Sequence, residues 1–138
     1  MNAARWRAEE LKHHSADIVW LDAEGTRRAY DVVGLHDSKT HLGLNINTVD
    51  SIERFAFGND AAIATKCLRA CVPEIQQVVV VFGEDESFIC SSVFLVNIGR
   101  IFFVPSRDDA MVYSNDTPLI LFYSHENEFE VGQRIVFD

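Results

Sequence analysis

Carboxylates are the side chains here whose spacing offers the most chemistry. Residues 83–87 read GEDES, and a tight turn between two apolar runs needs a glycine and a polar residue, not the three successive acids Glu84, Asp85 and Glu86. Two further acidic stretches follow: PSRDDA, with Asp108 and Asp109, and SHENEFE, with Glu126 and Glu128. Carboxylates gathered in one place attract cations, either a basic protein surface or a hard divalent ion held through oxygen.

Other reactive types do not assemble into a motif. Cys67 and Cys71 are four apart, which puts them on one face of a helix, but alanines flank both and they read as small core residues. Of the five histidines, His125 lies among acids without HExxH spacing. The loop HDSKTH gathers His36, Asp37, Ser38, Lys39 and His41, a polar composition that surface loops commonly have. Cys90-Ser91-Ser92 lies within an apolar run and lacks the GxSxG context of a nucleophile elbow. Neither a GxGxxG nor a P-loop pattern is present, so no catalytic residue, metal ligand or cofactor is assigned.

The 138 residues are the length of one domain that can bury its own core, and 48% hydrophobic with 24% charged residues is ordinary globular composition. The net charge of −9 is unevenly spread. Residues 1–73 carry ten acids and nine bases, whereas residues 74–138 carry eleven acids and only Arg100, Arg107 and Arg134. That field disfavours direct nucleic-acid binding and anionic lipid. No apolar run approaches the roughly 20 residues of a membrane span, and MNAARWRAEELKHH has no apolar core of a signal peptide, so a cytoplasmic location is expected. Three cysteines without zinc-ribbon spacing agree with a reducing compartment.

The elements that must position the acids are expected as follows. ARWRAEELKHHS predicts a short N-terminal helix, and ADIVWLDAEGTRRAYDVV a hairpin turning at Gly25. HLGLNIN alternates as a strand, and TVDSIERFAF, with Asp50 three residues before Glu53, leans towards a helix that breaks at Gly58. NDAAIATKCLRACVP is the strongest helix, stopped by Pro73. Strands are predicted at 76–82, 88–96, 100–104, 111–114, 118–124 and 131–137, rich in Val, Ile, Phe and Tyr. VVVV is apolar on both faces, which suits a central strand. The expected fold is a single α+β domain over 1–138: a largely antiparallel meander sheet, one main helix packed on it and a short N-terminal helix.

In an up-and-down meander, alternate turns fall at the same end of the sheet. GEDES, PSRDDA and SHENEFE then share one end, and Glu84, Asp85, Glu86, Asp108, Asp109, Glu126 and Glu128 face Arg107 alone there. Solvated turns attract acids without any purpose, yet so many like charges cost stability that a cationic partner would restore. Among aromatics, Trp6, Trp20, Tyr30 and Tyr113 have polar neighbours, and Tyr113 is the candidate anchor beside the acids. The expectation is a small acidic non-enzymatic protein that binds and neutralises a basic protein partner. A cytosolic immunity protein for a nuclease-type toxin has this size and charge. Alternatives are a self-assembling homo-oligomeric subunit and a metal-dependent ligand binder or enzyme.

Overall fold

The computed structural model of the chain describes residues 4–38, 43–56, 61–75, 77–84, 86–102, 109–126 and 128–135. It is α+β, as expected, with a seven-stranded sheet in the order β1-β4-β3-β5-β6-β7-β2 and every neighbouring pair antiparallel. The strands are β1 (Val19–Trp20), β2 (Val49–Ala56), β3 (Val78–Val81), β4 (Ser87–Cys90), β5 (Ala110–Tyr113), β6 (Leu119–Ser124) and β7 (Glu128–Arg134). The helices are α1 (Ala4–Glu10), α2 (Ala23–Gly34), α3 (Ala61–Cys71) and α4 (Ser92–Phe102), with a 3-10 turn at Lys12–His14. No helix among the described residues is long and apolar enough to cross a membrane.

All four valines of β3 are buried, and their alternation divides the core in two. Val78 and Val80 join Phe88, Val112, Leu121 and Phe129 on one face, covered by Leu11, by Leu68 of α3 and by Phe94 and Leu95 of α4. Val79 and Val81 join Met111, Ile120 and Phe122 on the other face, covered by Ala29 and Val33 of α2 and by Leu44.

α2 replaces the predicted hairpin. The Asp22 carboxylate accepts the Gly25 amide at 2.7 Å, and the Thr26 amide donates to the Asp22 carbonyl at 2.8 Å, so Asp22 is an N-cap and Gly25 lies in the first helical turn. Thr26, Ala29 and Val33 then recur on one buried face while Arg28 pairs with Glu24 across one turn at 3.1 Å.

The predicted strand 88–96 is cut short at Cys90, and of the predicted strand 100–104 residues 100–102 lie in α4 while 103–104 lie outside the described residues. β4 ends at Cys90, the Ser91 hydroxyl accepts the Phe94 amide at 3.0 Å, and the chain enters α4. The β-rich composition of SVFLV yields to a cap and to burial of Phe94, Leu95 and Val96 against the sheet. The Ser92 hydroxyl accepts the Ile75 amide at 2.7 Å and its own amide donates to the Ile75 carbonyl, tying the start of α4 to the approach to β3.

Residues 49–56 form β2, not the helix towards which Asp50 and Glu53 lean. Pairing with β7 overrides that capping pattern, with a bulge between Asp50 and Glu53 where Ser51 has a φ of 56°. Gly132 lies opposite the bulge, and a side chain there would collide with Val49. Among the described residues of HLGLNIN, Leu44 alone makes a bridge, to Asp37, and a turn follows at 46–48, while 41 and 42 lie outside the described residues. The strong helix is found as α3, while its expected cap at Asn59 or Asp60 and the break at Gly58 lie outside the described residues.

The Asp22 cap carries a direct test. Replacing Asp22 with Ala leaves the Gly25 amide without its acceptor, while the Thr26 amide keeps the backbone carbonyl, and is expected to cost about 1 kcal/mol. Urea unfolding of the variant measures it, and an unchanged midpoint would show that α2 is held by packing alone.

Candidate functional site

The crossover through α4 changes the topology and preserves the convergence of the acidic turns. β4 and β5 both run antiparallel to β3, so they are parallel to each other, and α4 returns the chain to the end where β4 began. The register places Ser87 opposite Val81, Val81 opposite Met111, and Ala110 opposite Tyr123. The turn before β4, the residue before β5 and the turn between β6 and β7 therefore line one end of the sheet. Adjacent strands lie about 4.8 Å apart, so these features share an edge on the order of 20 Å long.

Of the predicted residues, Glu84, Asp109 and Glu126 stand exposed at this end and Glu128 is half-exposed. Asp85 and Asp108 lie outside the described residues, as do the side chains of Trp6 and Cys67. Not all of this charge is uncompensated. Asp109 Oδ1 accepts the His125 amide at 2.7 Å and lies 2.9 Å from His125 Nδ1. That contact raises the His125 pKa above its ordinary value, chiefly through the hydrogen bond and then through the Asp109 charge. Arg54 reaches Glu130 at 2.6 Å and Glu128 at 3.6 Å.

Two predicted residues are corrected. Glu86 is buried: its carboxylate accepts Arg7 Nε at 3.0 Å, and the Arg7 guanidinium lies 3.7 Å from the centroid of Phe82. With side-chain exposures of 4% for Arg7 and 8% for Glu86, this ion pair fastens α1 to the β3–β4 turn and leaves Glu86 unavailable to a partner. The acid-rich turn thus divides its labour, one carboxylate holding the fold and Glu84 facing solvent. Tyr113 is 5% exposed at the opposite end of β5, directed into the core beside Ile120, with Arg134 5.5 Å from its ring centroid. Its position in the strand alternation, not its polar neighbours in sequence, sets its burial.

Among the described residues the exposed aromatic at this end is Tyr30 of α2, and two concavities flank it. One, of about 350 Å³, lies between α2 and the sheet and is lined by Val33, Val81, Met111 and Phe122 together with Asp37 and Asp109. The other, of about 580 Å³, is bordered by Glu24, Arg27, Asp31 and Glu84. The sequence reading placed α2 in a hairpin and so missed both; the Asp22 cap and the Thr26, Ala29, Val33 spacing were the signals that could have found them.

The HDSKTH loop is described only in part. His36 is buried, with Nδ1 3.0 Å from the Thr48 hydroxyl, and burial lowers its pKa, with the Arg134 charge a lesser cause. Gly43, at φ +151°, passes so close to the Glu130 carboxylate that a Cβ would meet Oε1 at 2.6 Å, and the Leu44 amide donates to the same oxygen. Cys90 is buried, and desolvation first, then the Asp17 charge, pushes its thiol up to about 12, away from nucleophilic use. Among the described residues no three His, Cys, Asp or Glu side chains are grouped as a metal ion requires.

The buried ion pair predicts an asymmetric mutant series. Arg7→Met alone strands the Glu86 carboxylate and is expected to destabilise by about 3–5 kcal/mol, whereas Arg7→Met with Glu86→Leu recovers most of the loss. Chemical denaturation of both variants reads the difference; equal stabilities would mean that the pair does not hold α1.

Comparison with protein families, with curated proteins and with solved structures finds no match to the chain.

Proposed function

We propose that this is a non-enzymatic binding protein whose acidic sheet end takes a basic protein partner. The observation that carries the reading is the convergence of Glu84, Asp109, Glu126 and Glu128 on one end, next to the exposed Tyr30 and a cleft lined in part by apolar side chains. Carboxylates of this kind speed encounter with a cationic surface, and an exposed aromatic with apolar area beside it slows dissociation. A cytosolic immunity protein for a nuclease-type toxin is the role this chemistry would suit, because carboxylates can occupy a cationic site built for phosphates.

A second reading, self-association, is favoured by a different observation. Leu35, Ile46 and Ile135 are 66%, 71% and 56% exposed, and Thr48 brings their segments together by donating to the Leu35 carbonyl and accepting the Ile135 amide. Apolar side chains grouped at a surface in this way are a common feature of interfaces.

Affinity capture from a lysate of the source cells separates the two, using the wild type and a Glu84→Gln, Asp109→Asn, Glu126→Gln variant, with Glu86 left intact to hold the fold. The proposed function predicts a basic protein bound to the wild type, released at high salt and lost from the variant. Capture of the chain's own copies, resistant to salt and equal for both forms, would favour self-association and overturn the acidic-end reading.

A further inference from the structure

We infer that the bulge in β2 guards the long edge of the sheet, keeping a second copy of the chain from adding its own strand there. The strand order leaves two edges, β1 and β2, each with one strand neighbour among the described residues. An edge strand offers a row of backbone donors and acceptors on which another chain can build. β1 is two residues long and offers little of this, whereas β2 runs for eight. Asp50, Ser51, Glu53 and Arg54 are exposed along it.

The bulge is a single extra residue. Asp50 stands opposite Gln133 and Glu53 opposite Val131, so Ser51 and Ile52 share the place opposite Gly132. Val49 and Ile52 both belong to the α2 face of the core and close over Gly132, where a Cβ would collide with Val49 and crowd Ile52. Without Ser51, the residues Val49, Asp50, Ile52 and Glu53 would alternate between the faces as a regular strand does, each keeping the face it has now. The core therefore does not require the extra residue, and the hydrogen bond of the Ser51 hydroxyl, to the Asp50 carboxylate at 2.6 Å, is local and exposed.

Yet the bulge has a cost. Ser51 holds a φ of 56°, which a serine adopts at a penalty, and the position opposite admits only glycine. What the extra residue changes is the edge. It bends the strand, increases its twist and interrupts the spacing of backbone groups that an added strand must match. The regular stretch that remains, from Glu53 to Ala56, is protected by charge, since a two-fold axis centred on Glu53 or on Arg54 would set like charges opposite each other.

The test is sedimentation velocity of the wild type and of a Ser51 deletion over a range of concentrations, with circular dichroism to confirm the fold. The deletion is expected to keep the wild-type spectrum and to self-associate on the order of tenfold more tightly, with the amides of 53–56 newly protected from hydrogen exchange. A folded deletion variant that associates no more than the wild type, or one whose new protection falls only at Leu35, Ile46 and Ile135, would overturn the inference. Should the deletion fail to fold, Ser51→Val and Ser51→Gly decide the matter at native chain length. Valine resists a φ of 56° and glycine accepts it, so the valine variant is expected to self-associate more tightly than the glycine variant, which should match the wild type. Equal association of the two would leave the bulge without a guarding role.

Discussion

The constraint on which the rest of the structure depends is that β3 is apolar on both faces. Four consecutive valines are all buried, so the sheet is covered twice, by α2 on one side and by Leu11, α3 and α4 on the other. Covering the second face uses the chain between β4 and β5, which becomes a crossover helix where a hairpin would have left that face bare. Because the crossover carries β5 back beside β3, it also decides where Asp109 falls.

The arrangement of charge follows from that topology. Helix and strand place Glu84, Asp109, Glu126 and Glu128 at one end, and the fold then neutralises only part of what it has gathered. Glu86 is enclosed by Arg7 and Phe82, Glu130 by Arg54 and the Leu44 amide, and Asp109 takes His125. Exposed pairs of the last kind add little stability, in contrast to the enclosed one, whose loss of a single partner strands a charge in a nonpolar setting. Glu84 and Glu126 remain on the surface with no ion pair to either among the described residues. These are the charges through which long-range attraction would act.

Strong local patterns were legible in the sequence. The β3 valines announced a central strand, Pro73 ended α3, and the runs around 111–114 and 118–124 paired as antiparallel neighbours. Illegible were the places where one residue's role depends on distant chain. Gly25 serves a hairpin turn or a first helical turn equally well, and only the Asp22 cap and the apolar face beneath α2 decide it. SVFLV is strand by composition and helix by the Ser91 cap and the core it must cover. Within the acidic turn, nothing local distinguishes Glu84 from Glu86; the distinction is made by Arg7, 79 residues away. β3–β4 and β5–β6–β7 follow the expected meander, and only the step from β4 to β5 departs from it; the ends still came out right, because a helix returning to the starting end has the same parity as a turn followed by an added strand.

The measurement that tests the central claim most directly is amide hydrogen–deuterium exchange of the chain alone and in complex with its captured partner. The account predicts new protection at residues 82–84, 109–111 and 124–126 and along α2 around Tyr30, with the turn at 45–48 and the residues after β7 unchanged. Protection confined to Leu35, Ile46 and Ile135, with the acidic end exchanging as before, would contradict it.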